Sequence, residues 1–258
     1  ANSDGDRPAG IMGAQGDPRL FVPQIQLTRS TCNPAQSIEP IESINRTRSN
    51  FRIHLRGHDM YMAELHGKLS SKVEKMEDVL TSNVFSFFKY STRKVFLKGY
   101  LDELGFGVSD QEARDAEFLF WHRFEDNTEP DLVIKVGRYY LLFEAKYFSD
   151  FAEGIDGTKA QLLREIEGGR LEADDSAREF KLIAITADPY YRDVKFEVIP
   201  LDHRPRFRWT NWQRIALFIE GILEANKNLR GEEIAFATDL YRLLDKKNLR
   251  GFHGWGAP

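Results

Sequence analysis

The sequence predicts an α/β domain, a mixed sheet with helices on its faces, and three features predict it. The segment EPDLVIKVGRYYLLFEAK, Glu129 to Lys146, reads as two β-type runs around a Gly137-Arg138 turn. The near-continuous apolar run KLIAITA, Lys181 to Ala187, reads as a strand buried on both faces. Apolar residues at helical spacing precede, separate and follow these strands. The predicted order is helix, three-stranded meander, helix, strand, then two C-terminal helices, in which a crossover helix feeding a buried strand makes the sheet mixed.

Residues 1–58 are rich in Gly, Pro, Ser and Asn without sustained periodicity, which predicts an extended or disordered N-terminal extension. An arm clasping another subunit is the alternative, and Met60 or Met62 would serve as starts of the folded part. Residues 59–258 are expected to form one domain.

From Ser71 the pattern is helical: Val73, Leu80, Val84 and Phe87 form a stripe with Met76 at its side. Glu77 falls inside that stripe, where a carboxylate is costly unless paired or ligating a metal. The bland alternative is a partly exposed acid at the stripe's edge. A second helix is expected to start at Ser91 or Thr92 and end at Gly105. With Lys89 just before it, this helix carries Arg93, Lys94 and Lys98, a basic cluster that is either a solvated face or a contact for phosphates.

Phe118 to Phe124 is expected as the first strand of the meander, with His122 read as a packing or surface residue. A helix is predicted from Thr158, carrying Gln161, Arg164 and Glu165, until Gly168-Gly169 stops it. Phe196 to Leu201 reads as a further strand. In the segment DHRPRFRWTNWQR, Arg204, Arg206 and Arg208 alternate with Phe207 and Trp209, so the three arginines could share one strand face. Cations beside aromatic rings suit a nucleic-acid groove; Trp209 and Trp212, flanking a helix start at Thr210, could instead close the core. The last two helices follow from Ile215, Phe218, Ile219 and Ile222, and from Ile234, Ala237, Tyr241 and Leu244.

The chemistry centres on the hairpin. Alternation along the second run puts Glu144 and Lys146 on one face and Phe143 and Ala145 on the other, and the turn brings Asp131 to the same sheet end. Two carboxylates held close stay ionised only around a cation, and oxygen ligands suit Mg²⁺. A lysine beside them can orient or deprotonate a water and stabilise charge on a phosphate, which reads as phosphodiester hydrolysis.

Pro130-Asp131 followed by Glu144-Ala145-Lys146 resembles the signature of the PD-(D/E)XK nuclease superfamily. The resemblance implies a restriction-endonuclease-like core. It implies a metal site of Asp131, Glu144 and the Ala145 carbonyl, joined by an acid from the first helix (here Glu77), with Mg²⁺ replaceable by Mn²⁺. It also implies a glutamine (here Gln161) that positions the scissile phosphate, and a setting in restriction or anti-phage defence. Some branches carry a tyrosine four residues after that glutamine; this chain has Glu165.

The expected function is therefore a metal-dependent nuclease acting on DNA, with Asp131, Glu144, Lys146 and Gln161 as catalytic residues. Three alternatives compete: a non-catalytic nucleic-acid-binding module, a glycosidase using Asp131 and Glu144 as acid and base, and a purely structural buried ion cluster. The net charge of −4 weighs against a polyanionic partner unless positive charge is local, as Arg204, Arg206, Arg208, Lys94 and Lys98 could make it. One cysteine excludes an internal disulfide. No apolar run approaches a membrane span, so the expected location is the cytoplasm, with a homodimer or a larger defence complex as possible assemblies.

Overall fold

The computed structural model describes residues 59–148, 161–225 and 229–251. The expected extension, the Thr158 helix start and the C-terminal Phe252 and Trp255 lie outside them. The described residues form a mixed α/β fold of eight α-helices and a five-stranded mixed sheet. None of these helices is long and apolar enough to cross a membrane.

The sheet is built from β1 (Glu117–Phe120), β2 (Leu132–Val136), β3 (Tyr139–Ala145), β4 (Glu179–Thr186) and β5 (Phe207–Asn211), in spatial order β1-β2-β3-β4-β5. β1, β2 and β3 are the antiparallel meander; β4 and β5 continue it in parallel. Gly137, at φ 51°, supplies the left-handed turn between β2 and β3 that a side chain would strain. The C-terminal ends of β1, β3, β4 and β5 thus share one sheet end with the start of β2.

Alternation along these strands sorts two cores. Leu132, Ile134, Leu141, Phe143, Ala145, Ile183 and Ile185 face α1 (Asp59–Leu65), α3 (Glu77–Tyr90), α4 (Phe96–Glu103), α7 (Trp212–Ala225) and α8 (Gly231–Lys246). Val133, Tyr140, Leu142, Leu182 and Ala184 face α6 (Gln161–Asp175), through Leu162, Ile166 and Ala173. The two short remaining helices are α2 (Ser71–Glu74) and α5 (Asp110–Asp115), the latter closed by a Ser109/Glu112 capping box. α5 has no counterpart in the expected order.

Several expectations are corrected. The Ser71 helix is two helices: Met76 is extended, at ψ 129°, and 42% exposed, so the buried stripe begins at Leu80. The second helix starts at Phe96, after a turn in which the Thr92 carbonyl accepts from Val95 and Phe96. β1 stops at Phe120 because Trp121 adopts φ 50°, which takes the chain off the sheet ladder. Gly168-Gly169 does not end α6, which continues to Asp175. A Cβ at Gly168 would stand 2.5 Å from the Phe124 ring, and one at Gly169 2.7 Å from the Phe180 ring. The pair lets the helix lie close on the sheet. Gly169→Val is therefore expected to cost about 1–3 kcal/mol by overpacking, seen as a lowered Tm.

Phe196 to Leu201 is not a strand. A 3₁₀ turn at Asp193–Phe196 puts Phe196 and Ile199 into the core, while Leu201 is 87% exposed. The Arg204 guanidinium fastens that turn by donating to the carbonyls of Phe196 (2.6 Å) and Ile199 (3.2 Å). α7 starts at Trp212, with the Asn211 side chain accepting from the Arg214 amide (2.9 Å), so Thr210 belongs to β5.

Candidate active site

The β2–β3 register pairs Leu132 with Phe143, which sets Asp131 opposite Glu144 at the end of the sheet. The Asp131 amide donates to Glu144 Oε2 (3.4 Å), and Asp131 Oδ2 accepts from the Ala145 amide (2.8 Å). Each acid is thus tied to the neighbouring strand. Lys146 Nζ donates to Glu144 Oε1 (2.7 Å) and to Glu77 Oε1 (3.2 Å). Glu77 Oε2 in turn accepts from the Tyr147 amide (2.6 Å). The break at Met76 makes this possible: it starts α3 at Glu77, whose carboxylate then sits in the first helical turn, where negative charge is favoured.

From the other face α6 contributes Gln161, whose amide nitrogen donates to Glu144 Oε1 (3.0 Å) and Glu165 Oε1 (2.7 Å). Glu165 is fully buried, and its Oε2 has no hydrogen-bond partner among the described residues. From the sequence, Glu165 stands only as a departure from a family pattern. Its signal was the four-residue spacing from Gln161, which stacks both on one helix face. Arg164, from the same turn, donates to Thr128 Oγ1 (3.4 Å) and so reaches the loop that carries Asp131.

The cluster holds Asp131, Glu144 and Glu165 in surroundings that resist ionisation. Burial, then the Glu144 charge, raises Asp131 to about 8. Burial also raises Glu144. Glu165 is held well above the carboxylate range by burial and by Glu144. For Lys146, burial works against the charge, but the carboxylates of Glu144, Glu77 and Asp131 outweigh it and keep the ammonium protonated. Its backbone is fixed as well: the fully buried Trp212 donates its indole N–H to the Lys146 carbonyl (3.0 Å).

Among the described residues no group of three or more His, Cys, Asp or Glu side chains is set to hold a metal ion as it stands; the Lys146 ammonium bridges Glu144 and Glu77. The donor chemistry nevertheless fits a hard divalent cation. The acids are all oxygen donors, Glu165 keeps one carboxylate oxygen unpartnered among the described residues, and burial opposes the ionisation of three of them, which a cation would offset.

The structure brings Asp131, Glu144, Ala145, Lys146, Glu77 and Gln161 together. It does not bring the basic candidates to them. Arg204 and Arg206 form a 3₁₀ turn with Pro205 ahead of β5, and Arg208 alone lies in the strand, so the three share no face. That turn precedes the start of β5, at the sheet end opposite Asp131. Lys94 pairs with Asp110 (2.7 Å) and Lys98 with Asp102 (2.6 Å), beside an Arg93 whose guanidinium donates to the Ala116 carbonyl just ahead of β1. Those too flank the far end. His122 has left the strand and contacts Glu172 (2.7 Å), which also accepts from the Tyr140 hydroxyl (2.9 Å).

Comparison of the chain with protein-family models, with curated proteins and with solved structures finds no match.

Proposed function

We propose that this protein is a metal-dependent nuclease of the PD-(D/E)XK type that hydrolyses DNA, with a restriction-endonuclease-like core. The observation that carries the reading is the convergence of Asp131, Glu144 and Lys146, with Gln161 and Glu77, at one end of a mixed sheet. The helix–meander–helix–strand order supports it.

On this reading Asp131, Glu144 and the Ala145 carbonyl would hold Mg²⁺, which Mn²⁺ could replace, and Glu77 would join them. The ion supplies charge neutralisation and an acidified water when bound. The chain's own residues do the rest. Lys146, kept protonated by its carboxylates, places positive charge where negative charge develops on the scissile phosphate and orients the attacking water. Gln161 holds Glu144 and Glu165 in place with its two amide hydrogens, one of which would turn to the scissile phosphate when substrate binds. Restriction or anti-phage defence is the proposed setting, in a homodimer or larger complex.

The structural ion cluster is the competing reading, because Lys146 already bridges two acids. Desolvated ion pairs are poor stability devices, however, and the buried Glu165 makes the cluster worse. When plasmid, linear duplex and single-stranded DNA are each incubated with Mg²⁺ or Mn²⁺, at least one of them should be cut, and EDTA should stop the cutting. No cleavage of any substrate would remove the proposal, and cleavage unaffected by Asp131→Ala would assign it to a contaminant.

A further inference from the structure

We infer that the site takes DNA as an unpaired strand, and that Trp121 stacks on a base lifted out beside the scissile phosphate. The inference rests on the nuclease reading for the phosphate's position but on separate residues for the base.

Trp121 is 43% exposed, so the core does not hold its ring. Its backbone sits at φ 50°, a conformation that glycine or asparagine adopts at far lower cost. Residues kept in such conformations concentrate at functional sites. The Trp121 amide donates to the Asp131 carbonyl (3.2 Å), so its backbone is tied to that of a proposed metal ligand. The ring borders a cleft of about 300 Å³, whose other walls are Asp78, Val79, Ser82 and Asn83, in the helix that begins with Glu77. That volume is at the small end of ligand pockets and suits one flat group rather than a duplex. Asp78 and Ser82 offer oxygens to an exocyclic amino group at its edge.

Two other exposed aromatics share this sheet end: Phe148, 67% exposed, just beyond β3, and Tyr190, 59% exposed, just beyond β4. With Trp121 beyond β1, rings stand on both sides of Asp131, Glu144 and Lys146. Paired bases hide their faces in the stack, whereas an unpaired strand offers a face to each ring, and such stacking tolerates any sequence.

The test uses the full chain carrying Asp131→Asn, so that binding is read without cleavage, and a single strand containing 2-aminopurine alongside the same sequence as duplex. Adding Trp121→Gly, which suits the left-handed backbone, should weaken single-strand binding by about tenfold or more and abolish quenching of the 2-aminopurine. Trp121→Phe should keep most of the affinity, and duplex binding should not change. An unchanged single-strand affinity, an equal loss for both forms, or no single-strand binding at all overturns the inference. Metal-dependent cleavage with Trp121-independent binding would sink the stacking claim and spare the nuclease. Trp121-dependent binding without any cleavage would do the reverse.

Discussion

Asp131→Asn is expected to remove metal-dependent cleavage, by about a thousandfold or more, while making the metal-free protein more stable. The asparagine oxygen can still accept the Ala145 amide, so the hairpin keeps its tie. What disappears is a buried acid whose ionisation opposes folding. The sign follows from the raised value: Asp131 titrates near 8 in the folded chain against 3.8 when unfolded. Between those values the unfolded state binds fewer protons, so stability is complete at the acid end and falls as pH rises through the folded pKa. Glu144 and Glu165 are raised too and act in the same direction. Lys146 is also raised, but its contribution is lost only on the alkaline side of this window. Thermal unfolding in EDTA should therefore show the wild type losing on the order of a few kcal/mol from about pH 4 to about pH 8, with a shallower slope in the variant. Mg²⁺ should raise the wild-type Tm and leave the variant's nearly unchanged. An identical pH slope in both proteins would show that Asp131 is not held neutral.

Lys146→Ala is expected to have the opposite effect on stability. Glu144 is 2% exposed and would lose the Lys146 ammonium at 2.7 Å, its one partner of opposite charge among the described residues. Uncovering a buried charge in this way costs about 3–5 kcal/mol. Part of that cost should be absorbed by proton uptake at Glu144, so the defect should deepen as pH rises and shrink when Mg²⁺ is added. Cleavage should fall by about 10²–10⁴-fold even at saturating metal, because the ammonium beside the phosphate is missing. Lys146→Arg should recover most of the stability, since a guanidinium can pair with both carboxylates, but little of the rate. If Lys146→Ala keeps full cleavage, the electrostatic role assigned to this ammonium is wrong.

Where the sequence foretells the structure, the signal is local. Alternation in YYLLFEAK put Glu144 and Lys146 on one face, and a glycine turn set Asp131 across from Glu144. Glu77, expected to need a partner, does reach Lys146, but from the first turn of α3, ahead of the buried stripe that begins at Leu80. Local pattern misleads where the decisive partner is distant in the chain. Gly168-Gly169 looks like a helix stop until Phe124 and Phe180 are seen pressing on it. Arg204, Arg206 and Arg208 look like a strand face until the carbonyls of Phe196 and Ile199 claim the first of them.

The sequence alone determined the sheet's central hairpin, its buried parallel neighbour and the identity of the charged triad, because side-chain periodicity and turn chemistry act over a few residues. Only the tertiary structure decided that Glu165 joins the triad, that the basic segments stand at the far end of the sheet and that Trp121 edges the site. Those outcomes depend on how α3 and α6 seat against the strand ends. Such seating is set by packing between segments far apart in the chain, which no local pattern encodes.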